Sequence, residues 1–253
     1  MSESPRIVTA ALVVIGDEIL SGRTQDKNIA QIATWLGIQG IRLAEVRVVP
    51  DRTDAIVEAV NTLRARNDYL FTTGGIGPTH DDITVDAVAE ALGVGVIVHP
   101  EARAILEGYY ATRGGLNDAR LRMARVPEGA KLIPNRYTGA PGIQAANVYL
   151  MAGVPQITAG MLDALSGTLE GGARLLSETV GCWVHESEVA TLLGDTEQAH
   201  AGCQIGSYPF WTEGRAGANF VIRSTDPLML AACTRALIAG LEAIGRPAVA
   251  GGI

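Results

Sequence analysis

Five carboxylates and a cluster of glycines hold most of the chemistry open to this sequence. The carboxylates are Asp17, Glu18, Asp51, Asp81 and Asp82, each at the end of an expected strand or the start of an expected helix. The glycines lie in Tyr69-Leu70-Phe71-Thr72-Thr73-Gly74-Gly75-Ile76-Gly77-Pro78-Thr79-His80-Asp81-Asp82-Ile83-Thr84, where an apolar run stops and restarts as an acidic, capped helix. Glycine permits φ > 0 and lets bare N–H groups approach a ligand, while the positive end of a helix dipole favours an anion such as phosphate. Neighbouring carboxylates repel that phosphate unless a divalent cation lies between them. Magnesium takes one or two hard oxygens from protein and completes its shell with water and phosphate. Asp17, Asp51, Asp81 and Asp82 are therefore candidate metal ligands, and Glu18 is a candidate general base. The competing reading is helix capping: Thr79-x-x-Asp82 has capping-box spacing, and Asp26 and Asp51 precede expected helices.

Other chemistries find less support. The glycine turn is neither GxGxxG nor followed by the Lys-Ser/Thr pair of a P-loop, so a dinucleotide dehydrogenase or P-loop ATPase is not indicated. His80 is a candidate phosphate donor or general acid, but a lone loop histidine is more often solvated. His99, His185 and His200 have no partners at ligand spacing. Ser21 and Ser166 lack a G-x-S-x-G setting, which argues against a covalent hydrolase. Lys27, Arg23 and Arg136 are candidates to supply positive charge near these loops, with solvation the simpler account of Arg23.

The elements that must position these residues are legible in outline. The 253 residues suffice for one large domain or two of ordinary size, and 47% hydrophobic with 19% charged residues reads as a soluble globular chain. Twenty basic against 27 acidic residues give a net charge of −7, which argues against a polyanion-binding surface for nucleic acid. The longest apolar run, Ile7 to Ile15, is too short to span a membrane and lacks a signal-peptide cleavage pattern, so a cytoplasmic location is expected. Three widely spaced cysteines, Cys182, Cys203 and Cys233, suggest reduced core residues, with neither a disulfide framework nor a zinc site. Ile7–Ile15 reads as a central strand covered on both faces. A helix through Ile29, Ile32, Ala33 and Leu36 follows, then a strand Ile41–Val49 near a sheet edge, a helix through Ile56, Val57, Val60 and Leu63, and a strand Tyr69–Thr72. A helix through Val85, Val88, Ala89 and Leu92 and a strand Val94–Val98 continue the alternation, the mark of a mainly parallel α/β sheet. A helix near Ala102–Tyr110, a loop Asn135–Gly142 and a strand Asn147–Met151 come next, and Gly153-Val154-Pro155 ends that strand much as Gly74–Pro78 ends the earlier one. Beyond Ser166 the pattern becomes a small α+β module: strand Trp183–Val189, helix Ala190–Ala201, strands Gln204–Trp211 and Ala218–Ser224, and a helix on Leu230, Cys233, Leu237, Leu241 and Ile244.

In order along the chain, Gly16-Asp17-Glu18-Ile19-Leu20-Ser21-Gly22, Asp26-x-Asn28, Pro50-Asp51, the Thr73–Thr84 stretch, Asn135, Ala140-Pro141-Gly142 and Gly153-Val154-Pro155 make a recognisable series. It resembles the molybdopterin-binding (MoaB/Mog-like) domain of the competence/damage-inducible CinA family. The segment after Ser166, including Gln204-Ile205-Gly206-Ser207-Tyr208-Pro209, resembles the KH-type module that follows this domain. The resemblance implies a three-layer α/β/α domain over residues 1–166 with a mostly parallel sheet, a small α+β module over 167–253, and dimers or trimers. Mog-type relatives bind and adenylylate molybdopterin, whereas CinA-like ones are associated with metal-dependent cleavage of dinucleotide pyrophosphates such as ADP-ribose or FAD. Asp51 and Asp82 match acidic positions linked to function and, with Glu18, form the candidate catalytic set. Gly74, Gly75 and Gly77 match a phosphate cradle, and Gly16, Asn28, Thr73, Pro78, Thr79, Asn135, Pro141, Gly142, Gly153 and Pro155 complete the candidate ligand-binding positions.

The resemblance thus implies magnesium, manganese or cobalt as cofactor and a nucleotide or pterin phosphate as ligand, with molybdopterin itself the alternative. Two segments depart from the family pattern. Leu-Pro-Gly-Val-Pro-Glu-Met appears as Met151-Ala152-Gly153-Val154-Pro155-Gln156-Ile157, losing a proline and a carboxylate, and Gly-Thr-Ala-Pro-Gly appears as Thr138-Gly139-Ala140-Pro141-Gly142. No nicotinamide-nucleotide deamidase activity is expected, since no such domain follows. RNA binding by the KH-like module is the weakest reading, because it lacks a GxxG loop between helices and the chain is acidic.

Overall fold

The computed structural model describes residues 6–212 and 214–253 and comprises two units, one running to Ala173 and one from Arg174 to Ile253. In the first, the chain forms β1 (Val8–Ile15), the single turn α1 (Asp17–Leu20), α2 (Asn28–Ile38), β2 (Ile41–Val49), α3 (Thr53–Arg64), β3 (Tyr69–Thr73), α4 (Thr84–Leu92), β4 (Val96–Val98) and α5 (Pro100–Tyr110). It continues as α6 (Asp118–Leu121), a 3-10 turn (Arg122–Ala124), β5 (Arg125–Pro127), β6 (Lys131–Ile133), β7 (Gly142–Ala145), β8 (Val148–Met151) and α7 (Pro155–Leu165).

β1 shows why the alternation closes into three layers. Its odd-numbered side chains Ala11, Val13 and Ile15 pack with Ile56, Val60 and Leu63 of α3 and Val85 and Val88 of α4. Its even-numbered ones, Val8, Ala10, Leu12 and Val14, pack with Ile32, Trp35 and Leu36 of α2 and Met161, Leu162 and Leu165 of α7. A strand buried on both faces has no polar phase, hence the unbroken apolar run. The sheet order is β2-β1-β3-β8-β7-β6. The first four strands are parallel, and β7 and β6 are added antiparallel. β2 is an edge strand, which accounts for its mixed polarity.

Two sequence expectations change here. The Val94–Val98 segment does not extend the main sheet: β4 pairs antiparallel with β5 in a separate ribbon. β5, β6 and β7 were not anticipated, being strands of three or four residues, too short to show a period.

The second unit is β9 (Leu176–Cys182), α8 (Glu186–Ala199), β10 (Cys203–Thr212), β11 (Arg215–Ser224), α9 (Pro227–Ala243) and β12 (Ala248–Ala250). Its antiparallel sheet has the order β10-β11-β9-β12, a β-α-β-β-α-β module. Val180, Cys182, Ala218, Phe220 and Ile222 face Val189, Leu230, Cys233, Leu237 and Leu241 in one core. The strand expected at Trp183–Val189 ends instead at Cys182, and the helix begins at Glu186, where the Glu188 carboxylate accepts the His185 N–H at 3.2 Å. All three cysteines are buried free thiols, and burial pushes the Cys233 thiol up to about 12. Among the described residues no helix is long and apolar enough to cross a membrane.

Candidate functional site

Four parallel strands bring their C-terminal ends to one rim of the first unit. β1 lies between β2 and β3, and the crevice where connections diverge from a central strand is where ligands bind in open α/β sheets. The strand ends are tied together: the Gly16 N–H donates to Val49 C=O and the Gly74 N–H to Met151 C=O, each at 3.2 Å. A cavity of about 670 Å³ opens over them.

The glycine turn forms one wall. Gly74 has φ 97° and a Cβ there would lie 2.2 Å from Ile15 O; Gly75 has φ 67° and its Cβ would lie 2.1 Å from Thr84 Oγ1. Thr84, the first residue of α4, is fully buried; its hydroxyl donates to Gly74 C=O at 2.9 Å and its N–H to Gly75 C=O at 3.0 Å. The helix start and the glycine turn are thus one hydrogen-bonded piece. Thr84→Val keeps the shape but strips that carbonyl of its hydroxyl donor. A loss of about 1–3 kcal/mol is expected, read as a lower urea midpoint at unchanged m-value. Among the described residues the Gly75, Ile76 and Gly77 N–H groups donate to no backbone carbonyl.

The carboxylates stand around this turn. Asp51 does not cap α3, whose N-cap is Arg52; its Oδ2 accepts the Asp17 N–H at 2.9 Å, locking the β2 and β1 loops together. Burial raises the Asp51 pKa, the Asp17 N–H opposes that, and the charges of Asp17, Glu18 and Asp81 push it further up. The Glu18 carboxylate folds over Gly16, where a Cβ would meet it at 2.6 Å. Asp82 accepts from the Thr79 N–H at 2.7 Å and from the Thr79 hydroxyl. That is half of the expected capping box, closed on the turn before the helix, since α4 starts only at Thr84. Asp26 does cap, accepting from the Ile29 N–H at 2.8 Å.

Of the positions singled out in the sequence, Gly16, Glu18, Asp51, Gly74, Gly75, Gly77, Pro78, Asp81, Asp82, Pro141, Gly153 and Pro155 line the cavity. Asp17, Asn28, Thr73, Thr79, Asn135 and Gly142 do not. Asn28 is buried and positions the β8 loop: its Nδ2 donates to Gly153 C=O at 2.8 Å, and its Oδ1 accepts from Gln31 at 2.7 Å. Asn135 organises the opposite loop through Thr138 Oγ1, Ala140 C=O and the Tyr137 N–H at 2.7, 2.8 and 2.9 Å. Gly142 sits inside the sheet, its Cβ position 3.0 Å from Leu150 O and from Met161 Sδ. Thr73 is buried under the turn with an unpartnered hydroxyl. His80 is 98% exposed and faces solvent.

Sequence reasoning missed the apolar half of the cavity, which Tyr110, Met123, Ala140, Ile157 and Met161 supply alongside Ile76. Among the described residues no lysine or arginine lines it. Arg23 and Lys27 are exposed elsewhere, and Arg136 pairs with Asp163 at 2.8 Å while lying over the Tyr137 ring. Among the described residues no three His, Cys, Asp or Glu side chains converge as a metal-binding group. The cavity therefore joins four carboxylates and a glycine turn at one end to an apolar pocket at the other.

Fold and site together define a three-layer α/β domain with a ligand cleft at the carboxyl ends of its parallel strands. Residues 11–170 match the family model described as "Probable molybdopterin binding domain", and the chain belongs to that family. Residues 174–246 match a second model, "FAD synthase, middle domain", and the KH-type likeness of this module remains a resemblance only. A protein from Aeropyrum pernix is 39% identical over 223 residues, covering 84% of this chain and 82% of that one. A CinA-like protein from Gemmatimonas aurantiaca is 37% identical over 212 residues, covering 78% of this chain and 50% of its own length, so the chain spans about half of that relative. A crystal structure titled as the protein CinA with unknown function, from Thermoplasma acidophilum, has a TM-score of 0.59 at 31% identity, covering 63% of this chain and 98% of that one.

Proposed function

We propose that the cavity of the first unit binds a nucleotide or pterin diphosphate together with a divalent cation, and that it hydrolyses the diphosphate of a dinucleotide such as ADP-ribose or FAD. The observation that carries this reading is the cavity's charge: among the described residues Glu18, Asp51, Asp81 and Asp82 line it and no lysine or arginine does. Such a wall repels a bare diphosphate and accepts one that arrives with a cation. Asp51 and Asp81, both on the cavity wall, would hold a hard cation, which takes only one or two oxygens from protein. A divalent cation held there would supply charge neutralisation at the phosphates and activation of water.

The chain's own residues supply the rest. The Gly75–Gly77 N–H groups bind phosphate oxygens at the start of α4. Asp51 is aimed by the Asp17 N–H, and the Glu18 carboxylate takes the proton of the attacking water. The apolar half, Tyr110 and Met123 among it, holds the ring system at the far end of the ligand and excludes water. Water adds across the P–O–P bond, giving AMP and ribose 5-phosphate from ADP-ribose, or AMP and FMN from FAD. The test is incubation with each dinucleotide and magnesium, manganese or cobalt, with AMP release followed by chromatography. No AMP with any of the three metals overturns the hydrolase reading.

A second reading is binding without turnover. The altered Met151–Ile157 segment, which lacks the family's carboxylate, motivates it, since Ala152, Gly153, Val154, Pro155 and Ile157 line the cavity. Saturable molybdopterin binding without hydrolysis is the outcome that selects it.

A further inference from the structure

Helices α8 and α9 cover one face of the second unit's sheet, with Val180, Cys182, Ala218, Phe220 and Ile222 directed into that core. Register therefore sends Tyr208, Phe210, Arg215, Asn219 and Arg223 to the opposite, outward face. Although the chain carries 27 acidic and 20 basic residues, the outward positions of β9, β10 and β11 hold, among the described residues, two arginines and no carboxylate. Both guanidiniums lie on aromatic rings. Arg215 is 4.5 Å from the centre of the Trp183 ring, and Arg223 is 5.7 Å from that of Tyr208, to whose hydroxyl it also donates. Trp183 meets Phe210 edge-on at 5.4 Å, and Tyr208 is 49% exposed.

Asn219 lies at the centre of this face, paired across strands with Tyr208 on one side and Gly181 on the other. Its carboxamide grips both main-chain groups of one residue: the Ile253 N–H donates to Oδ1 at 2.8 Å, and Nδ2 donates to the Ile253 main-chain oxygen at 2.9 Å. A planar amide that reads an adjacent donor and acceptor is also how asparagine reads the edge of a purine. Gly251 and Gly252, at φ 87° and 97°, bring Ile253 onto the face; a Cβ on Gly252 would lie 3.0 Å from Asn219 Oδ1 and 3.1 Å from Thr179 Cγ2.

We propose that this outward face is a binding site for a purine nucleotide. The base edge pairs with Asn219, the ring stacks on Tyr208, and the phosphate meets Arg223 or Arg215, with Ile253 occupying the base position until it is displaced. The same chemistry is found in a free nucleotide and in a base within single-stranded RNA. Two arginines favour the free nucleotide, because about 0.7 counterion released per phosphate contact gives a salt slope no steeper than about −1.4.

The test titrates the full chain with AMP and with GMP while backbone amide resonances are followed. Shifts are expected at Gly181, Asn219 and Ile253. Tyr208→Ala weakens binding by roughly fivefold or more. Gly252→Val, which crowds the segment off Asn219, tightens it. Thermal melts of each variant confirm folding, and Asn219→Ala is the second weakening variant. Shifts confined to residues 6–173, or an affinity unchanged in folded Tyr208→Ala and Asn219→Ala, overturn the site. An affinity not raised by Gly252→Val overturns the role of Ile253. A ten-residue oligoadenylate that binds tighter than AMP, with a salt slope steeper than about −1.4, overturns the free nucleotide in favour of a single strand.

Discussion

Asp51→Asn is expected to lower cation-dependent AMP release by on the order of a thousandfold while raising thermal stability. The two effects share one cause. Asp51 is pulled from solvent and surrounded by the charges of Asp17, Glu18 and Asp81, so its folded-state pKa lies above its ordinary value. For a carboxyl shifted in this direction, the folded state binds the proton more tightly than the unfolded chain. The stability held below the unfolded value of about 3.9 is lost as pH rises through the raised folded value. At pH 8 the ionised carboxylate therefore burdens the fold, and asparagine removes that charge while its amide oxygen still accepts the Asp17 N–H. The variant's Tm is expected to exceed that of the unaltered chain at pH 8. The difference should close as the pH falls toward 4. Calorimetry at both pH values, run beside the AMP assay, separates the claims. A lower Tm at pH 8 removes the desolvation account, and undiminished AMP release removes Asp51 from the chemistry.

Residue type decided which parts of the site were legible in the sequence. Glycine at a positive φ and carboxylate at a strand end are residue types with few other uses in such numbers, so Gly74, Gly75, Asp51 and Asp82 stand out without coordinates. Tyr110, Met123 and Met161 do not, because an apolar residue lining a cavity has the same pattern as one in the core, and only the path of the chain through α5, the 3-10 turn and α7 brings them together. Asn28 and Asn135 sit in recognisable motifs, but their hydrogen bonds run to Gly153, Thr138 and Ala140, within the loops that shape the cavity. The central strands and helices of the first unit were readable because each buries a regular stripe or both faces. β9 was not: Leu176-Ser177-Glu178-Thr179-Val180-Gly181-Cys182 carries few apolar residues, since its first three residues are exposed and only the last three are buried. The Trp183–Val189 stretch expected as a strand is instead the turn 183–185 and the first residues of α8.

Gly75→Ala is the substitution with the largest expected effect on the fold around the site. A left-handed φ of 67° costs alanine about 1–2 kcal/mol, and its Cβ would lie 2.1 Å from Thr84 Oγ1. Thr84 must then move, and the fully buried hydroxyl can no longer reach Gly74 C=O, which adds about 1–3 kcal/mol. The sum, about 2–5 kcal/mol, should appear as a fall in the urea midpoint, accompanied by loss of ligand binding because the 75–77 N–H groups are displaced together. Gly77→Ala is the contrast: Gly77 has no positive φ, and its Cβ would meet the end of the Asp82 side chain at 2.7 Å, so rotation of that carboxylate relieves the clash at the cost of its hydrogen bonds from Thr79 and without backbone strain. Combining Gly75→Ala with Thr84→Ala distinguishes steric conflict from backbone strain. The double variant removes the clashing Oγ1, so its destabilisation should fall short of the sum of the two single changes. If the two simply add, Thr84 is not what excludes a side chain at position 75, and the left-handed φ alone accounts for the glycine.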